Sequence, residues 1–213
     1  MKPNLSVFRL LLVLALAVGY CAISECAEFS AIKVSLLSGM ITTVTEQGPS
    51  RKKVTKEPPW TQKLKIYVKG GKRREEGGNR ESITRPDKRV TWLLFPGKRT
   101  YVEYKIPAKM AAGMLDPKSL RKQIGSARPI GKAMVNGYLC EKYQSRGERG
   151  EAPNIVWYSS KLNEILRIQG KLAGDPYNME ITKIREGKQP DSLFEIPKGY
   201  KRVKSPDWNS LLR

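Results

Sequence analysis

The sequence predicts a mainly β (α+β) fold, a curved antiparallel sheet covered by a few short helices. Three observations lead to it. Apolar residues recur with a period of two along most of the chain, and turn residues interrupt it at short intervals. The third is Val90 to Phe95, VTWLLF, which is apolar on both faces, so a sheet that contains it must be covered on both sides.

The elements follow in order. Lys2 and Arg9 precede the apolar run Leu10 to Val18, and small and polar residues continue to Ala27. That is the layout of a secretory signal peptide over residues 1–27, too short for the roughly 20 apolar residues that span a bilayer. Cys21 follows Tyr20 and Cys26 follows Glu25, so neither has the small preceding residue of a lipoprotein signal. A soluble exported product of the periplasm or cell envelope is expected. Residues 28–213 are taken as one domain, with 28–62 an N-terminal strand and polar loop and 63–213 its core. Within the former, Gly48 to Pro59 is too polar and proline-bearing for a core element and reads as a mobile loop.

In the core, Leu64, Ile66 and Val68 share one face of a strand, and Lys63, Lys65, Tyr67 and Lys69 the other. Gly70 and Gly71 turn the chain into a strand over Lys72 to Glu75, and another follows at Ser82 to Thr84. The turn RPDK then leads into Val90 to Phe95 and its partner Thr100 to Ile106. An even loop between these last two sets Leu93 and Phe95 beside Val102 and Tyr104; an odd loop sets Trp92 and Leu94 there. Helix character is expected only near LDPKSLRKQI, with Asp116 as N-cap and Pro117 the first helical residue. Further strands are expected at Lys132 to Val135, Tyr138 to Ser145, Asn154 to Tyr158, Ile165 to Gln169 and Met179 to Ile184. The closing PDSLFEIPKGYKRV reads as a loop that plugs an edge or end of the sheet with Leu193, Phe194 and Ile196. No internal repeat is found.

The chemistry-bearing residues point away from catalysis. There is no histidine, which removes histidine-based triads and histidine metal sites, and no glycine-rich phosphate loop follows a strand. Glu75 and Glu76 point to opposite faces of a strand and read as surface charges among arginines. Once the leader is removed only Cys140 remains of three cysteines, and it reads as a small buried side chain. No cofactor, metal site or enzymatic activity is expected. Forty Lys and Arg against twenty Asp and Glu give a formal charge of +20. The cations are spread over almost every strand and turn, and export removes the chain from cytoplasmic nucleic acid. Nucleic acid is therefore disfavoured as a partner, and an anionic membrane or lipopolysaccharide surface fits better. General solubility explains the excess equally well.

The order KIYVKGGKRREE, ITRPDKRVTWLLFPGKRTYVEY, VNGYLCEKYQ, NIVWYSSKLNEILRIQ and MEITKIREGKQPDSLFEIPKGYKRV resembles an exported bacterial family of unknown function related to the LolA and LolB lipoprotein carriers. The resemblance runs from about Lys63 to Val203, with Trp92, Leu94 and Tyr101 at recurring apolar positions and Gly137 and Cys140 at a recurring Gly-x-x-Cys spacing. It implies an incomplete antiparallel β-barrel around short helices, with an apolar interior that in the carriers holds acyl chains. The function this implies is a carrier or sensor of lipid, lipoprotein or another acyl-bearing ligand. Ile66, Val68, Trp92, Leu94, Tyr101 and Trp157 are the residues named for its wall, Trp157 because NIVWYSS alternates on a strand; each would equally serve in an ordinary core. The alternatives are an interaction protein with a closed core and a basic docking surface, and an exported nucleic-acid or polysaccharide binder.

Overall fold

The computed structural model describes residues 27–37, 42–46, 52–56, 60–124, 127–145, 153–172 and 175–204. The basic and apolar segment read from sequence as a signal peptide lies outside them up to residue 26, as do parts of the stretch read as a polar loop. Fourteen strands are present among the described residues: β1 Phe29–Leu37, β2 Thr42–Glu46, β3 Lys52–Lys56, β4 Trp60–Lys69, β5 Lys72–Gly77, β6 Arg80–Arg85 and β7 Val90–Phe95. They continue with β8 Thr100–Lys105, β9 Arg128–Val135, β10 Tyr138–Gln144, β11 Ile155–Ser159, β12 Glu164–Leu172, β13 Asp175–Glu186 and β14 Lys201–Arg202. Two short helices, α1 Ala108–Leu115 and α2 Ser119–Ile124, separate the halves of the chain.

Twelve strands form one sheet in the order β14-β8-β7-β6-β5-β4-β1-β13-β12-β11-β10-β9, antiparallel except where β14 runs parallel to β8. Turn chemistry sets the registers. Gly70 and Gly71, both at positive φ, form the two-residue loop between β4 and β5, where right-handed strand twist favours positive φ at both central positions. Asn136 and Gly137 repeat the device between β9 and β10. Four residues join β7 to β8, an even loop, which settles the register with Leu93 opposite Val102 and Leu94 opposite Tyr101. That loop and the one before it share a plan, Pro86-Asp87-Lys88-Arg89 and Pro96-Gly97-Lys98-Arg99. Each is a 3-10 turn closed by an arginine in the left-handed region, at φ 55° and 47°.

The sheet curls strongly at its β9 end. The tip of the β9–β10 hairpin reaches back across two intervening strands to β13, where Asn136 Nδ2 donates to the Ile181 carbonyl at 2.8 Å and to Glu180 at 2.8 Å. β9 and β14 end the sheet without pairing to each other, so the barrel stays open. The mainly β, open curved sheet with few helices is the expected architecture.

Each face has its own cover. Phe29, Ala31, Leu64 and Ile66 pack with Met179, Ile181, Leu166, Trp157 and Cys140 in the largest core. On the opposite face of β4 to β7, Tyr67, Ile83, Val90, Trp92 and Leu94 pack under Phe194, with Leu193, Ile196, Tyr101 and Tyr200 around it. One face of the two-faced strand β7, that of Val90, Trp92 and Leu94, is covered in this way, because the closing segment lies on it and the segment's last residues pair with the β8 edge, while Thr91, Leu93 and Phe95 on the other face are half-buried. Two buried arginines hold the closing segment from below. Arg74 Nη1 donates to the Leu193 carbonyl, and Arg85 Nη1 donates to the Phe194 carbonyl, both at 3.0 Å.

Three expectations need correction. Helix begins at Ala108, well before Asp116, because Pro107 starts a first turn that MAAGML continues. The second helix starts at Ser119 rather than at Pro117, which lies in the turn before it, where Asp116 Oδ1 accepts from the Lys118 N–H at 2.9 Å. Within Gly48 to Pro59 the residues Lys52–Lys56 are a strand paired antiparallel to β2, a two-stranded ribbon separate from the main sheet. Glu75 and Glu76 do sit on opposite faces, but both are half-buried and each is tied to an arginine, Arg73 and Arg74, 2.9 and 2.7 Å away.

Candidate functional site

Between the helices and the sheet lies a cavity of about 550 Å³. Its floor is Val68 of β4, Arg73 of β5 and Thr84 of β6, its side wall is Leu162, Asn163 and Glu164 at the β11–β12 turn, and its roof is α1 and α2. α2 is anchored, since Ile124 and Leu120 pack on Tyr143, Tyr158 and Ile165, and Arg121 lies over the Tyr143 ring and pairs with Glu141 at 3.0 Å. α1 is not anchored in this way: Ala111 is its one buried residue, while Met110 and Met114 are 56% and 44% exposed. A helix with so little burial is lightly held. Its C-terminal end rests on the β4–β5 turn, where a Cβ on Gly71 would lie 2.9 Å from the Met114 carbonyl oxygen. Gly71 is therefore required twice, by its φ of 80° and by that approach.

The charges at the floor and side wall of the lining are paired with one another or with neighbours. Arg73 donates from Nη1 to Glu164 at 2.5 Å and from Nε to Glu75 at 2.9 Å, and Lys33 donates to Glu75 at 3.0 Å. Burial acts to lower the Arg73 pKa, but Glu164 and Glu75 outweigh it and hold the guanidinium charged. Burial likewise acts to raise the Glu75 pKa and is overcome by Arg73 and Lys33, so that carboxyl sits below its ordinary range. Neither group is poised to exchange protons near neutrality. The Arg73–Glu164 pair instead ties the two halves of the sheet together beneath the helices.

The six residues named from sequence separate into groups. Val68 lines the cavity. Ile66 is fully buried next to it, and Trp157 belongs to the same core, with Lys142 and Arg167 over its ring at 5.2 and 5.7 Å. Trp92, Leu94 and Tyr101 are on the other side of the sheet with Phe194, and Trp92 Nε1 donates to Glu103 at 3.2 Å. Met110, Met114, Leu115 and Leu120 of the roof are absent from the residues named from sequence. Their signal is the helical spacing of Met110, Ala111, Met114 and Leu115, which a period-of-two reading passes over.

No family model and no curated protein matches the sequence. Among solved structures it is similar to an uncharacterised conserved protein of Thermus thermophilus, at 10% identity and a TM-score of 0.52, over 85% of this chain and 93% of that one. It also aligns with a chain of the Pseudomonas aeruginosa MucA/MucB complex at 13% identity and a TM-score of 0.45, covering 80% of this chain and 56% of that one. A LolA superfamily protein of Nitrosomonas europaea aligns at 9% identity and a TM-score of 0.35, over 80% of this chain and 90% of that one. The structural neighbours thus include LolA-like proteins at low identity, and what this chain shares with the Thermus protein over most of both lengths is the fold, a mainly β open curved sheet with few helices.

Proposed function

We propose that this is a non-enzymatic binding protein of the cell envelope that holds an acyl-bearing ligand in the cavity beneath α1. The observation that carries the reading is the roof itself, a lightly anchored helix presenting Met110, Met114 and Leu115 at a space of about 550 Å³. Unbranched, polarizable methionines adapt to irregular apolar partners, and cavities of roughly 300 to 1,000 Å³ are the usual size for small-molecule sites. The basic, apolar leader in the sequence supports an envelope location.

Gly113 gives a clean test because it lines the cavity from inside α1, and a Cβ there meets only Ser119 Oγ, at 3.5 Å. Gly113→Leu replaces a poor helix former and fills the space, so stability is expected to hold or rise by up to about 1 kcal/mol while uptake of a fluorescent fatty-acid probe is lost. Wild-type protein that takes up no probe, and shows no co-purified lipid by native mass spectrometry, would overturn the reading.

A second reading is favoured by the exposed cations Arg80, Lys98, Arg99 and Lys201, which strand connectivity brings to one end of the sheet. They would dock an anionic envelope surface. Co-sedimentation with vesicles containing phosphatidylglycerol, weakening as salt rises, is expected under this reading, and neutral vesicles should retain none.

A further inference from the structure

The cavity's size and charges narrow the ligand further, and the narrowing rests on the acyl-binding reading above. A methylene group fills about the same space as one molecule of liquid water, about 30 Å³. A cavity of about 550 Å³ therefore has room for one long acyl chain and not for two or three side by side.

The charges lining it are Lys72, Arg73, Lys109, Asp116 and Glu164. Four of them are already engaged. Arg73 holds Glu164, Lys72 pairs with Asp191 at 3.1 Å, and Asp116 pairs with Lys122 at 3.0 Å. Lys109, exposed on the first turn of α1 next to Met110, has no carboxylate within ion-pair distance among the described residues. A ligand whose chain lies along Met110, Met114 and Val68 would end in solvent beside that ammonium group. An anionic head fits there, and a cationic one is repelled.

We infer that the ligand is a single-chain anionic amphiphile, its one acyl chain under α1 and its acidic head at Lys109. Free fatty acid and a lysophospholipid with an acidic head both have this chemistry.

Purified full-length mature protein is stripped of lipid and titrated with palmitate, lysophosphatidylglycerol, hexadecanol and dioleoyl phosphatidylglycerol, with native mass spectrometry for stoichiometry and probe displacement for affinity. One palmitate or one lysophosphatidylglycerol per chain is expected, and the stronger of the two identifies the source of the head group. Hexadecanol should bind about fivefold more weakly than palmitate, the upper end for one exposed ion pair. Lys109→Ala should lower palmitate to the hexadecanol level and leave hexadecanol unchanged. Dioleoyl phosphatidylglycerol should not displace the probe. Equal binding of palmitate and hexadecanol, or 1:1 uptake of the two-chain lipid, overturns this inference while acyl binding stands. Binding of none of the four overturns the acyl-binding reading itself.

Discussion

Arg85 shows how one residue organises a surface. Its side chain is 7% exposed, and it donates to both oxygens of Asp87, to Glu195 and to the Phe194 carbonyl. Hydrogen bonds from Arg85 hold the Asp87 carboxyl below its ordinary range. For Glu195, burial acts upward and is outweighed by the bonds from Lys88 and Arg85, so the direction is again down. A carboxylate with a folded pKa below its unfolded one stabilises the fold above the ordinary carboxylate range, about pH 4, and that stability is lost as pH falls through the folded value. Arg85→Met should therefore lower stability by about 2 kcal/mol at pH 7 and flatten the loss between about pH 5 and pH 2, as urea unfolding across that range would show. Leu94, fully buried under Phe194, has no room to grow. Leu94→Trp should destabilise by about 1 to 3 kcal/mol, and a thermal melt equal to wild type would mean that the cluster contains unfilled space. Cys140 is buried, its thiol pushed up by burial, so Cys140→Ala should cost less than about 2 kcal/mol and reductant should leave the melting curve in place.

At the scale of elements, the strands are legible in the sequence and the first helix is not. The period-of-two pattern places β4 to β8 and β10 to β13 within a few residues of where they lie, because each strand has at least one buried face that the alternation must serve. α1 escapes because its helical apolar spacing, Met110, Ala111, Met114 and Leu115, spans less than two turns, and only Ala111 of it is buried. The same weakness makes the cavity illegible, since a void is set by what α1 leaves uncovered, which no residue pattern states. Loop chemistry is half legible. RPDK reads as a turn, while the left-handed arginines that close both proline loops give no signal, arginine having no preference for that region. Arg99→Gly should relieve this strain and be neutral or stabilising by up to about 1 kcal/mol, whereas Arg99→Val should destabilise by about 1 to 2 kcal/mol. Equal melting temperatures for the two variants would show that the loop relaxes freely.

At the scale of the whole molecule, the closing segment is recognisable as a plug from Leu193, Phe194 and Ile196, but the surface it covers depends on residues far away in sequence, Tyr67, Ile83 and Trp92. Ending the chain after Glu186 should expose that cluster together with Arg74 and Arg85. The expected product is aggregated or binds a hydrophobic dye strongly, and a monodisperse truncated form with native melting would mean that the sheet stands without its cover. The sheet order has another outcome, one of timing. β1 sits between β4 and β13, and Thr182 of β13 donates to the Ile32 carbonyl across 150 residues of chain. At about 5 to 20 residues per second, the first strand waits about 8 to 30 s after leaving the ribosome before its second neighbour exists. Until then it has one unpaired edge, and closing so long a loop is slow. The strand made first is thus among the last to be completed, which keeps the nascent chain unfinished, and open to chaperones, until nearly all of it has been synthesised.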